Sequence, residues 1–152
     1  MRENHFGKIV NISSMGGKIW IKFGGWYHAT KFAAEGFSDC LRMELAPFGI
    51  DVVVVEPGGI KTDWGIIAAR HLKETAKGGA YEVYANKAAD GMIKNYSGNM
   101  LAKPELIAET VKKSGYEKKT AYAISCRLYG ETYGIDAEVI WGSGIRLGNQ
   151  TL

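Results

Sequence analysis

Cysteine is nearly missing from this chain, and the two that occur, Cys40 and Cys126, stand far apart with no companion in C-x-x-C spacing. That pattern excludes a disulfide-stapled scaffold and implies two reduced thiols. His5, His28 and His71 share no motif with one another or with the cysteines, so no metal-ligand spacing forms. A dominant charge sign is lacking as well. The 19 Lys and Arg are interleaved with 16 Asp and Glu, which leaves a net +3. Without a basic run carrying interleaved aromatics there is no electrostatic footprint for nucleic acid or an anionic membrane. No apolar stretch approaches the roughly twenty residues that cross a bilayer, and Met1-Arg2-Glu3-Asn4-His5 leads straight into a strand-like run, unlike a signal peptide. The cytoplasm is the expected compartment, with no metal, nucleic-acid or membrane partner.

What is present is the composition of one globular domain. Of 152 residues, 46% are hydrophobic and 23% charged, which suffices for a buried core. Lys8-Ile9-Val10-Asn11-Ile12 reads as a short buried strand that Ser13-Ser14 ends. A glycine-rich connection follows, from Gly16-Gly17 to Gly24-Gly25. From Trp26 to about Ala46 the pattern is helical. Ala29, Ala33, Phe37 and Leu41 recur every fourth residue, and Pro47 and Gly49 stop the run.

Ile50-Asp51-Val52-Val53-Val54-Val55 is almost unbroken β-branched residue, as in a strand covered on both faces of a parallel sheet. It ends at the breaker Glu56-Pro57-Gly58-Gly59. Strand, long helix and strand make a βαβ unit. Residues from Thr62 to about Met100 are helical in composition but glycine-interrupted, with one helix around Ala68–Ala76 and another from Tyr81 to Ile93, read as a lid-like insertion. Pro104 opens a further short helix through about Lys113. The fold class is therefore α/β.

Three groups of residues carry chemistry. Tyr27 and Lys31 are four apart and project from one helical face. Ser14 ends the preceding strand, at the carboxyl edge where open α/β sheets bind ligands. The Pro57-Gly58 turn leaves the next strand at that same edge. A carbonyl that accepts hydride develops negative charge on oxygen, so a proton donor and a hydrogen-bond donor must face it. A phenol can give that proton. Making one a workable base at neutral pH takes roughly 4 kcal/mol, which an ammonium about 4 Å away supplies at an effective dielectric of about 20.

Gly7-Lys8-Ile9-Val10-Asn11-Ile12-Ser13-Ser14, then Tyr27-x-x-x-Lys31, then Pro57-Gly58-x-Ile60-x-Thr62 resembles the pattern of the short-chain dehydrogenase/reductase family. Ser14 stands thirteen residues before Tyr27, the spacing of that family's catalytic serine, which selects it over Ser13. Lys31-Phe32-Ala33-Ala34-Glu35-Gly36-Phe37 is similar to the branch that includes 17β-hydroxysteroid and retinol dehydrogenases. The resemblance implies an NAD(P)-dependent oxidoreductase interconverting a small-molecule alcohol and carbonyl. In it Ser14 would polarise the carbonyl, Tyr27 would act as acid/base, and Lys31 would tune Tyr27 and hold the nicotinamide ribose. The backbone of Pro57, Gly58 and Ile60 and the hydroxyl of Thr62 would hold the nicotinamide amide. Trp64 and the segment to about Tyr96 would form the substrate lid, and the helix from Trp26 to Ala46 is a surface for homo-oligomers.

Two departures qualify the match. No glycine-rich dinucleotide fingerprint precedes Gly7, so the expected architecture is the carboxyl-terminal half of a Rossmann-type doubly wound sheet, its first four strands missing. The strand at 8–12 is then an exposed edge, and the alternative expectation is a truncated, catalytically silent fragment unable to bind the dinucleotide by itself. The second departure divides residues 1–125, the partial catalytic region, from 126–152. That tail loses the family pattern, and a one-base shift of reading frame permits a more family-like ending, so a frameshift product is expected there.

Overall fold

The computed structural model describes residues 1–99, 101–115 and 121–124, the last four by backbone alone. Among these residues one parallel sheet has the order β1-β2-β3, with β1 at Gly7–Ile12, β2 at Ile50–Pro57 and β3 at Ala121–Ile124. The helices are α1 (Gly25–Leu45), α2 (Trp64–Ala76), α3 (Glu82–Ser97) and α4 (Pro104–Ser114). The chain is an α/β protein with a parallel sheet, as its strand–helix–strand pattern predicts. The expected boundary at 125/126 and the altered tail lie outside the described residues.

The β-branched run forms the centre. Val52, Val53, Val54 and Val55 are each at most 1% exposed, so both faces of β2 are covered, with α1 and α4 packed against it. Each buried valine contributes about 1.5–3 kcal/mol relative to exposure. The parallel register runs from Gly7 opposite Ile50 to Ile12 opposite Val55. β1 is the sheet edge, and Ile12 at its end is exposed.

Helix α1 departs from the expected apolar stripe. Ala29, Ala33 and Phe37 are exposed, whereas the buried positions are His28, Glu35 and Ser38. The reason is that these polar side chains reach partners beneath the helix, although Glu35 Oε1 has none among the described residues. Asn11 Nδ2 donates to Ser38 Oγ at 2.9 Å, and Ser38 Oγ donates to Ala34 O at 2.6 Å. Near the other end, Arg42 Nε donates to Val52 O at 2.9 Å. Buried polar groups satisfied in this way dock the helix in one register.

Helices α2 and α3 form a hairpin whose seam is made of small residues. Ala69, Ala85 and Ala89 are fully buried, and Gly65 lies so close to the Tyr96 ring that a Cβ would not fit. The expected glycine-interrupted insertion is thus two helices packed on each other.

Lys18, Glu35 and Glu56 make a cluster linking the segment after β1, helix α1 and the end of β2. Lys18 Nζ lies 3.1 Å from Glu35 and 3.8 Å from Glu56. Burial pushes the Glu56 carboxyl up to about 6, assisted by the Glu35 charge. Burial opposes charge on Lys18, but the bond to Glu35 and the charge of Glu56 outweigh it and raise the ammonium above its ordinary value. A carboxyl whose folded value is raised binds its proton more tightly folded than unfolded. Its contribution to stability is therefore complete below about 4.5 and lost as pH rises through about 6. Thermal melts followed by circular dichroism on either side of that window should show Glu56→Gln selectively stabilised on the alkaline side. An unchanged difference between variant and wild type across the window would show that Glu56 takes no part in the pH dependence.

Candidate active site

Where β1 runs out, the ladder continues one residue further: the Ser13 N–H donates to Val55 O at 2.8 Å. Ser13 is buried and its hydroxyl has no partner among the described residues. Ser14 is different. Its extended backbone caps the 3-10 turn Met15–Gly17, and its Oγ accepts the Gly16 N–H at 3.0 Å and donates to Pro57 O at 3.3 Å. One hydroxyl thus joins the end of β1 to the end of β2.

Tyr27 lies in the first turn of α1 and Lys31 one turn further. Gly16 locates the phenol ring relative to Ser14. A Cβ on Gly16 would stand 2.7 Å from Tyr27 Cε1, 3.3 Å from His28 Nδ1 and 3.4 Å from Ser14 Oγ. The tyrosine ring therefore packs directly on Gly16, close to the serine hydroxyl, an approach that is possible because residue 16 carries no side chain. Lys31 Nζ donates to Ile12 O at 3.3 Å, which brings the ammonium to the carboxyl end of β1. Ser14, Tyr27, Lys31 and Pro57 are thus gathered at one sheet edge.

The remaining expected contacts spread along the segment after β2. Gly58 follows Pro57, while Ile60 forms a parallel bridge with Ala102, and the Lys61 N–H donates to Ala102 O at 2.8 Å. This pairing fixes the loop against the segment that leads into α4. Thr62 is exposed in the bend before α2, and no described hydrogen bond ties it to the other three side chains.

Aromatic rings enclose the site on the α2–α3 side. Trp64, at the start of α2, tilts against Tyr27 with ring centres 5.2 Å apart, and Tyr96 of α3 lies 6.3 Å from Trp64. Phe23 meets Tyr81 edge-on at 6.2 Å. The expected lid segment is therefore against the tyrosine, although Trp64 remains half-exposed.

One residue of the site escapes the sequence reading, in which the histidines are weighed only as metal ligands. His28 is buried and both of its ring nitrogens are engaged: Nδ1 with Gly16 O at 2.8 Å, and Nε2 with the Ile21 N–H at 3.1 Å. Its spacing from Gly16 and Gly24 is the available signal. A Cβ on Gly24 would also strike the imidazole, at 2.7 Å.

The donor set fits part of a nicotinamide dinucleotide. An ammonium and a phenol suit ribose hydroxyls, and a fixed turn after a parallel strand presents backbone groups to a carboxamide. The glycine fingerprint that would cradle the pyrophosphate is not in the sequence. Among the described residues no cluster of His, Cys, Asp and Glu could hold a metal, and no helix is long and apolar enough to cross a membrane.

Much of the chain is similar to known proteins. The short chain dehydrogenase family model matches residues 1–71. The chain is 40% identical over 119 residues to dehydrogenase/reductase SDR family member 7B of Xenopus tropicalis, covering 78% of this chain and 34% of that protein. It is 44% identical over 86 residues to a 3-ketodihydrosphingosine reductase of Bacteroides thetaiotaomicron, covering 57% of this chain and 30% of that one. The chain thus spans about a third of the length of these curated relatives. Among solved structures, a short-chain dehydrogenase from Streptomyces avermitilis superposes with a TM-score of 0.62 at 31% identity, over 94% of this chain and 48% of that one. A variant actinorhodin polyketide ketoreductase with NADPH gives 0.56 at 28% identity, over 80% and 47%. A strand-end serine, a tyrosine and lysine one helical turn apart, and relatives that share this stretch agree: the chain belongs to the short-chain dehydrogenase/reductase family.

Proposed function

We propose that this chain carries the acid/base centre of an NAD(P)-dependent oxidoreductase that interconverts an alcohol and a carbonyl. The observation that carries the reading is the convergence of Ser14 Oγ and the Tyr27 ring on Gly16, with Lys31 Nζ at the carboxyl end of β1. The names of two similar proteins, a polyketide ketoreductase and a ketodihydrosphingosine reductase, support ketone chemistry. The run from Lys31 to Phe37 supports the branch of 17β-hydroxysteroid and retinol dehydrogenases. A cytoplasmic location belongs to the same reading.

The dinucleotide supplies the hydride when bound. The chain's own residues handle the oxygen. Ser14 Oγ already has a lone pair occupied by the Gly16 N–H, and its proton points to Pro57 O. A substrate carbonyl would replace Pro57 O as acceptor, at little cost in reorganisation. Tyr27 then gives its proton to the developing alkoxide, or takes one from the alcohol in the reverse direction. Lys31 stabilises the phenolate through its charge and is the group to hold ribose hydroxyls, while Pro57, Gly58, Ile60 and Thr62 would hold the carboxamide. Trp64 against Tyr27 excludes water from one side of the ring.

In an enzyme form that also carries the glycine-rich dinucleotide turn, Tyr27→Phe should lower turnover of NAD(P)H with a ketone by about 10²–10⁴-fold. Calorimetry on the same form should find cofactor affinity little changed. Retained turnover would remove Tyr27 from the role. The 152-residue chain alone, titrated with NADH or NADPH, should bind no more tightly than about 1 mM, because only the nicotinamide end is provided for; micromolar binding would overturn that. The exposed face of α1 with Trp26, Ala33 and Phe37 is the proposed contact between copies of the chain. Phe37→Glu should then shift sedimentation velocity toward the monomer, and an unchanged profile would count against that surface.

A further inference from the structure

We propose that His28, as the neutral tautomer with its proton on Nδ1, is a positioning residue that sets the Ser14 hydroxyl against Tyr27. The proposal rests on the dehydrogenase reading above and adds to it a residue that does not itself touch substrate.

The imidazole is fixed by chemistry on both sides. Nδ1 faces a carbonyl, Gly16 O, which can only accept, and Nε2 faces the Ile21 N–H, which can only donate. One tautomer alone satisfies both partners. Steric fit adds to this. The ring sits between Gly16 and Gly24, and a Cβ at either would stand 3.3 Å or 2.7 Å from its atoms. The His28 backbone N–H also bonds Gly24 O at 2.8 Å, so ring and main chain hold the same loop.

From the imidazole, one path leads to the serine. The Nδ1 proton is donated to Gly16 O, the Gly16 N–H is donated to Ser14 Oγ, and the Ser14 proton is left for an acceptor at the site. Gly16 has no side chain to hold it in place, so its orientation depends on such anchors. The other nitrogen anchors the opposite limb of the loop. Ile21 opens a tight turn closed by Gly24 N–H to Ile21 O at 3.3 Å. Within it Phe23 has φ +65°, a left-handed conformation that costs a bulky residue energy and persists only where its surroundings impose it. The Phe23 ring then meets Tyr81 beside α3. A single side chain, adjacent in sequence to the acid/base tyrosine, thus holds both the serine turn and the loop facing the helical hairpin.

The test uses ¹⁵N and amide-exchange NMR on the chain as it stands, comparing wild type with His28→Phe, His28→Asn and His28→Gln. Wild type should show the proton on Nδ1, and the Gly16 and Ile21 amides should exchange about tenfold more slowly than in His28→Phe. Asn places its amide near the Nδ1 position and should restore protection at Gly16. Gln places its oxygen near Nε2 and should restore protection at Ile21. In the enzyme form that also carries the glycine-rich dinucleotide turn, loaded with cofactor, His28→Phe should lower kcat by about tenfold or more with KM little changed, and Asn should recover more kcat than Gln.

A proton on Nε2, an unaltered Gly16 amide in folded His28→Phe, or equal kcat in the Asn and Gln variants would overturn the proposal. If His28→Phe does not fold, the Asn and Gln pair decides. Absence of turnover in the wild type of that longer form would strike the dehydrogenase reading instead, and the NMR comparison would still decide whether His28 governs the Gly16–Ser14 contact.

Discussion

The parallel pairing of β1 with β2 is the constraint from which the site follows. A run of four buried valines leaves β2 one place to go, the middle of the sheet, and the register then sets Ile12 opposite Val55. Two residues further along each strand, Ser14 and Pro57 meet at the carboxyl edge without any special loop geometry. Had the pairing slipped by one residue, the inward side chains of β1 would face the other way and the serine would lose its acceptor. The meeting of Ser14 with Pro57 at this edge is a consequence of core packing one strand-length away.

The long helix completes the arrangement by unusual means. Its sheet-facing side is polar, with His28, Glu35 and Ser38 buried, and directional bonds to Asn11, Lys18 and the Gly16 and Ile21 backbone take the place of an apolar stripe. Hydrogen bonds and ion pairs of this kind add little net stability when satisfied, but leaving one unsatisfied is costly. Their effect is to specify the rotation of the helix about its axis. That rotation decides where Tyr27 and Lys31 point, and so the same contacts that dock the helix also aim these two side chains.

Much of this is legible in the sequence, for identifiable reasons. The β-branched run, the helix with its Pro47 and Gly49 stop, and the residues at strand ends are local signals with strong physical preferences, and the structure has them where they are expected. Ser14, Tyr27, Lys31 and Pro57 are legible because motif spacing encodes their convergence. The buried face of α1 is not. Periodicity reports which residues are apolar, and Ala29, Ala33 and Phe37 are apolar yet exposed. His28 is missed for a related reason, since its partners are backbone groups of residues 16 and 21, and backbone leaves no mark in composition. The Ile60–Ala102 bridge is likewise invisible, because its partners lie on opposite sides of two intervening helices.

The small-residue seam of the α2–α3 hairpin has a mechanical consequence. With methyl groups and Gly65 at the interface, the two helices lie backbone to backbone, and each contacts the other far more than it does the sheet. Among the described residues the hairpin meets Tyr27 and the preceding loop through aromatic rings, Trp64 tilted on Tyr27 and Tyr81 edge-on to Phe23. Rings can slide past one another without breaking any main-chain bond. The pair of helices is therefore built as a stiff paddle on a slippery bearing, able to shift against Tyr27 and Phe23 while leaving the sheet edge undisturbed.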